Sequence, residues 1–273
     1  MKLSHCCITV PILFALLGGC EAAGVSDTTR DLCPVREQVV DGDLPDSFEH
    51  GDGVPRRSPG IIAWATGLGL GGYQPGEGAD IYTDPRCAFG PVSGISTDVL
   101  VLGDGGRVTL SFARPIQNTP GQADFAVYEN GIANTSAGTV FAELAWVAVA
   151  SRVNATDAEF ARFPATTTRT TPVGSWEQIN PDDYSGFAGI HPAGTGTAFD
   201  LSQLSDHQLV QEGIVDLNAI RYVRIIDVIG DGNQMDDSDP PLPIYDPYPT
   251  YNPSITNNTA GFDLDGIAVL GGP

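Results

Sequence analysis

Five aspartates, Asp227, Asp231, Asp236, Asp237 and Asp239, together with Asn233, crowd into positions 227–239, and Asp263 and Asp265 follow two residues apart in GFDLDGIAVL (261–270). In an extended chain that spacing puts both aspartates on one face. Glu129 closes the run DFAVYEN (124–130) on the side of Phe125 and Val127, an unusual place for a carboxylate. Oxygen donors of this kind suit a hard cation. Calcium takes roughly 6 to 8 oxygens at about 2.3–2.6 Å from carboxylates, amide or backbone carbonyls and water. Clustered carboxylates repel one another unless they are protonated or bridged by a cation. The candidate Ca2+ ligands are therefore Glu129, Asp227, Asp231, Asp263 and Asp265; the competing reading is a set of separate, solvated acids. Asp231-Gly232-Asn233 looks like the opening of an EF-hand loop, but the glycine expected at the sixth position and the closing glutamate are absent. Zinc fits poorly, because His50, His191 and His207 stand alone, without a second ligand at metal-site spacing.

Catalytic chemistry is less legible. A glycosidase needs two carboxylates about 5 to 9.5 Å apart, and a chain this acidic holds many possible pairs. Glu143, close to Trp146, is a conceivable acid beside a sugar platform. There is no G-x-S-x-G elbow, so Ser, His and Asp roles cannot be assigned. No catalytic residue is named, and whether the chain is an enzyme stays open. The long stretch from Trp176 to Thr197 carries Trp176, Tyr184, Phe187 and His191, the candidate ligand-binding residues. A loop of that length inside a compact domain is usually functional when ordered; inert surface covering is the other reading.

The elements that position these groups are short strands. NAIRYVRIIDV (218–228) leads into the acidic segment 230–239, which reads as an irregular loop. The Pro-rich segment 240–253 then returns the chain so that the strands bearing Asp227 and Asp263/Asp265 lie side by side. Val99–Leu102 and Arg107–Phe112 flank Gly103-Asp104-Gly105-Gly106, a hairpin turn signal. In 107–112, Val108, Leu110 and Phe112 share one face, as a half-buried strand requires. FAELAWVAVAS (141–151) is apolar on both faces, as a central strand is, and forms a hairpin with EFARFP (159–164). GLGLGG (67–72) is a weak dinucleotide signal, because the helical pattern that must follow it is missing, and its glycines suit tight turns or close backbone approach. With 33 glycines, 21 prolines and no βα repeats, these runs predict an all-β protein: an antiparallel β-sandwich, jelly-roll-like, with long irregular loops.

The chain begins like an exported protein. Met1-Lys2 precedes an apolar run ending in Leu17-Gly18-Gly19-Cys20. That tetrapeptide resembles the bacterial lipobox, whose cysteine is acylated and becomes the first mature residue; a plain secretory signal is the alternative. Each buried methylene of such a lipid contributes about 0.8 kcal/mol to anchoring. The expected organisation is a lipoprotein signal peptide over 1–19, a tether and irregular arm over 20–58, and the β-sandwich over 59–273. Cys33 and Cys87 form an even pair in an exported chain, so a disulfide is expected, with two free thiols as the alternative. Asp+Glu total 34 against Lys+Arg 13, a formal charge of -21. That excludes a nucleic-acid partner, which needs a basic footprint.

The segments DFAVYENG (124–131), FAELAWVAVAS (141–151) with FARFP (160–164), GIHPAGTGTAFDL (189–201), VRIIDVIG (223–230), PIYDPYPT (243–250) and GFDLDGIAVL (261–270) resemble a group of secreted bacterial cell-surface proteins and lipoproteins. The resemblance covers the chain from about Leu100 onward. More distantly, the strand–turn–strand of 144–163 is similar to a hairpin of galactose-binding-like jelly rolls. That likeness implies calcium bracing the sandwich and rim loops binding carbohydrate. The resulting expectation is a calcium-braced binding or adhesion module in the bacterial cell envelope, lipid-anchored and extracytoplasmic. Its partner would be a surface glycan or another surface protein. A structural or assembly component of the surface is the alternative, and a glycan-active hydrolase a further one.

Overall fold

The computed structural model describes Cys33 and residues 53–271. Cys20, the signal segment and most of the arm lie outside the described residues. Two antiparallel sheets face each other. The first runs in the order Gly53–Pro55, Thr195–Phe199, Phe125–Glu129, Asp263–Leu270, Ile61–Trp64, with Leu100–Val101 also on Asp263–Leu270. The second runs Ala161–Arg162, Ala145–Ala150, Ile220–Asp227, Arg107–Ile116, Gly67–Gln74. The fold is the all-β sandwich that the alternating runs predict. Gly53–Pro55, assigned by composition to the arm, is an edge strand paired with Thr195–Thr197.

Alternation decides which side chains fill the space between the sheets. Phe125 and Val127 from the first sheet meet Val147, Val149, Val223 and Ile225 from the second in one buried cluster. Phe125 stacks on Phe199 at 5.2 Å, and Phe163 meets both rings edge-on. The hairpin expected over 141–164 is present in its core, with Ala161 opposite Val149.

Two expectations about pairing are overturned. The segments on either side of 103–106 do not pair with each other: Leu100–Val101 joins the first sheet and Arg107–Ile116 the second. The glycine turn therefore carries the chain across the sandwich. Gly103 and Gly105 supply the positive φ values this needs, 76° and 73°. Nor are the strands of Asp227 and Asp263 neighbours. Ile220–Asp227 lies between Ala145–Ala150 and Arg107–Ile116, which satisfy both its edges, while Asp263–Leu270 belongs to the opposite sheet. The two meet only end to end.

The acidic segment after Asp227 is not an irregular loop but a short hairpin, Asp231–Met235 with Pro243–Tyr245. Its base covers a second apolar cluster built from Leu144, Trp146, Ile179, Tyr184, Phe187 and Ile244. Cys33 and Cys87 form a disulfide with Cα atoms 5.1 Å apart, fastening the arm to the turn Pro85–Ala88.

Candidate functional site

Buried carboxylates collect where the end of Ile220–Asp227 meets the start of Asp263–Leu270. Glu129, Glu143, Asp227, Asp246, Asp263 and Asp265 are each less than a tenth exposed. Two of them are staples. Asp227 Oδ1 accepts from Phe262 N at 2.7 Å and Oδ2 from Gly105 N at 2.7 Å, joining the second sheet to the start of the last strand and to the glycine turn. Asp265 Oδ1 accepts from Ser93 N at 3.1 Å and Oδ2 from Gly94 N at 2.8 Å. Both oxygens of each carboxylate hold backbone N–H groups, so Asp227 and Asp265 brace loops. Asp231 is partly exposed and turns back on Asn233, whose N–H and side-chain amide it accepts.

Glu129 and Asp263 differ from the staples. Glu129 is 3% exposed and its Oε2 has no hydrogen-bond partner; Asp263 is 8% exposed and its Oδ1 has none either. Asn130, the residue after Glu129, donates its Nδ2 to Asp263 Oδ2 at 3.0 Å and to the carbonyl of Ser96 at 3.0 Å. Next comes Gly131, where a Cβ would lie 2.8 Å from Glu129 Oε2 and 3.0 Å from the carbonyl oxygen of His191. Glu129 Oε2, the Ala142 methyl and the His191 carbonyl thus crowd Gly131, while Asp263 Oδ2 and the Ser96 carbonyl share the amide of the neighbouring Asn130.

Electrostatics sharpen the picture. Burial pushes the Glu129 carboxyl well above the usual range, and the charge of Asp263 adds to it. Burial raises Asp263 to about 8, against a hydrogen bond from Asn130 that pulls it down. Glu143 is raised by burial and then by Asp263, Asp246 and Asp227. Asp227 and Asp246 are raised in turn, first by burial. Asp104 rises to about 6 through burial and the charges of Glu77 and Asp231. Burial is the main cause throughout, and neighbouring carboxylates add to it at Glu129, Glu143, Asp227, Asp246 and Asp104, so each extra ionisation is costly. A divalent cation would relieve that cost at Glu129 and Asp263.

The carboxylates alone do not form a cage. Among the described residues, the one set of three ligand side chains whose atoms all lie within 4.8 Å of one another is Cys33, Cys87 and Asp98, and its sulfurs are joined in the disulfide. A cation at Glu129 and Asp263 would need carbonyls such as those of Ser96 and His191, and water, to complete its shell. That donor chemistry fits calcium, which accepts mixed oxygen ligands in irregular geometry.

The four candidate ligand-binding residues of the 176–197 segment do not share one surface. Tyr184 and Phe187 are buried, Phe187 against Trp146 at 4.7 Å and Tyr184 edge-on to Phe187 at 6.3 Å. The Tyr184 hydroxyl donates to the Tyr245 carbonyl at 2.5 Å, which satisfies its polar end. His191 is buried as well, and of the four only Trp176 is exposed. Residues 187–192 form an internal layer, while Trp176, Glu177, Asn180, Asp182 and Ser185 are exposed. Asp246 was missed by the sequence reading. It is 1% exposed, accepts from Leu144 N at 2.8 Å through Oδ2, and has Gly230 pressed against Oδ1. Its signal is an acid in the apolar Ile244-Tyr245 run, immediately before proline. Compared with protein-family models and with curated proteins, the chain matches none.

Proposed function

We propose that the chain is a calcium-braced β-sandwich module that works outside the cytoplasm and binds its ligand rather than transforming it. The observation that carries this reading is the pair of buried, unpartnered carboxylate oxygens, Glu129 Oε2 and Asp263 Oδ1. Left ion-free, these two oxygens are desolvated with no hydrogen bond of their own, even though Asn130 donates to the other oxygen of Asp263 and the backbone N–H groups of Asn130 and Gly131 pull the Glu129 carboxyl down. A cation between them ties the end of Phe125–Glu129 to the start of Asp263–Leu270, strands that are already paired at Leu264 and Glu129. The Cys33–Cys87 disulfide supports an oxidising compartment, and Leu17-Gly18-Gly19-Cys20 supports a lipid anchor there. An acid of a hydrolase must touch its substrate. Glu129, Glu143 and Asp263 are all nine-tenths buried or more, which favours bracing over catalysis.

The test is thermal unfolding of the disulfide-bonded domain in chelator, in millimolar calcium and in millimolar magnesium. A ligand that binds only the folded state stabilises it by about 2.7 kcal/mol when free ligand is 100 times Kd. Calcium is expected to raise the midpoint clearly, and magnesium less, because it demands a small octahedral shell. Glu129→Gln and Asp263→Asn are expected to shrink the shift. Equal midpoints in chelator and calcium, with no calcium in the purified protein, overturn the reading.

A further inference from the structure

One surface feature is unused by the brace. Ile132–Asn134 and Thr139–Phe141 form a two-stranded hairpin in which Ile132 lies opposite Phe141 and Asn134 opposite Thr139. Residues two apart share a face of a strand, so these four side chains stand on one side of the hairpin. Trp176 stacks on Phe141, with ring centroids 5.6 Å apart and planes inclined by 22°. The indole is 79% exposed and Ile132 is 61% exposed. At the other end, Thr139 donates its hydroxyl to Gln178 Oε1 at 2.5 Å.

Trp176 is held in place. Glu177 N donates to the Gly174 carbonyl at 2.9 Å, and the Glu177 carboxylate accepts from Gly174 N at 2.9 Å, closing a tight turn around the tryptophan. Ile179 and Val140 exchange backbone hydrogen bonds at 2.8 and 3.0 Å, so the segment is sewn to the hairpin. A large aromatic kept in water on a fixed support is preorganised for a flat ligand.

We propose that the Trp176–Phe141 stack, with Ile132 beside it and Asn134, Thr139 and Gln178 at its rim, is a binding platform for the pyranose rings of a neutral glycan. This takes the binding-module reading as its premise. A pyranose has an apolar face of C–H groups that packs on the electron-rich face of an aromatic ring, and a girdle of hydroxyls that exchange hydrogen bonds with amide and hydroxyl side chains. The apolar-to-polar gradient along the hairpin matches that division. A folded protein partner fits less well. A stable interface needs about 800 Å² on each side, whereas a fully buried aromatic contributes only about 150–250 Å² and this stack has two. The formal charge of -21 disfavours anionic polymers at low salt.

The test uses cellohexaose, mannohexaose and galactohexaose as neutral probes, with tri-galacturonate as the acidic one, against the calcium-loaded disulfide-bonded domain. Trp176 is the exposed member of three tryptophans, so its emission reports binding directly, and titration calorimetry gives the affinity. At least one neutral oligomer is expected to bind and shift the emission to the blue, and tri-galacturonate to bind more weakly. Trp176→Ala is expected to weaken binding by about tenfold or more while keeping the calcium-induced rise in midpoint; Trp176→Phe keeps a flat ring and is expected to recover part of the affinity. Absence of binding by all three neutral oligomers at millimolar concentration overturns the platform, as does unchanged affinity in Trp176→Ala. Self-association lost in Trp176→Ala also overturns it, assigning the patch to a second copy. Trp176-dependent binding without any calcium effect on stability leaves the platform standing and removes only the brace.

Discussion

Replacing Asp265 with alanine separates a staple from a metal ligand. Asp265 is entirely buried, and its two oxygens hold the N–H groups of Ser93 and Gly94, 172 and 171 residues away in the chain. Ser93 is itself buried, at 3% exposure. Alanine leaves both donors without an acceptor. Hydrogen bonds to a charged group contribute about 1.5–3 kcal/mol each, so the pair corresponds to roughly 3–6 kcal/mol, a large part of the roughly 5–15 kcal/mol of a typical domain. At about 2–4 °C per kcal/mol for a domain of this size, the midpoint is expected to fall by roughly 6–24 °C. Asparagine retains one acceptor oxygen, and about half of that loss is expected. Calorimetric melts in chelator and in millimolar calcium distinguish the roles, because a staple acts equally in both. Full stability in chelator, with the loss confined to calcium, would falsify the staple assignment and return Asp265 to the ligand set.

Three further expectations concern Asp263, Gly230 and the disulfide. In chelator, Asp263, raised to about 8 by burial, takes up a proton on folding above its unfolded value of about 3.9. Stability present below about pH 4 is therefore lost as pH rises through about 8, and Asp263→Asn is expected to flatten that slope in urea titrations across the range. Gly230 has φ 76° and a Cβ there would overlap Asp246 Oδ1, so Gly230→Ala is expected to cost more than about 2 kcal/mol by denaturant unfolding, with or without calcium. Reducing Cys33–Cys87, which spans 54 residues, is expected to remove about 4 kcal/mol, measured as a lower urea midpoint with reductant; an unmoved midpoint refutes it.

Strand identity was legible because burial on one or both faces leaves a period in the sequence. Val108 and Leu110 alternate inward, and the run 145–150 is buried on both faces, as its composition indicates. Partner choice was not legible, since alternation says which side of a strand is wet but not which edge meets which. The segments flanking Gly103–Gly106 illustrate this: a turn that tolerates positive φ serves a hairpin and a crossover equally well. The acids posed the same difficulty. Asp263 and Asp265 look alike in sequence, yet one meets the N–H groups of Ser93 and Gly94 and the other the Asn130 amide. Tyr184 and Phe187 lie in a stretch without periodicity, so the sequence does not say whether they face ligand or core. They are buried because the hairpin at Asp231–Met235 and Pro243–Tyr245 brings Ile244 and Tyr245 over them.

The Cys33–Cys87 bond also sets how the domain carries mechanical load. Tension arriving from the N-terminal side of Cys33 passes through sulfur to Cys87 and bypasses residues 34–86, including the edge strand Gly53–Pro55. An edge strand pulled from its end unzips one hydrogen bond at a time, whereas force delivered at Cys87 enters the turn Pro85–Ala88, whose buried Ala88 packs into the core beside Asp263–Leu270. While the bond is oxidised, a tug from the N-terminal side of Cys33 enters at the turn Pro85–Ala88 and does not peel the edge strand Gly53–Pro55.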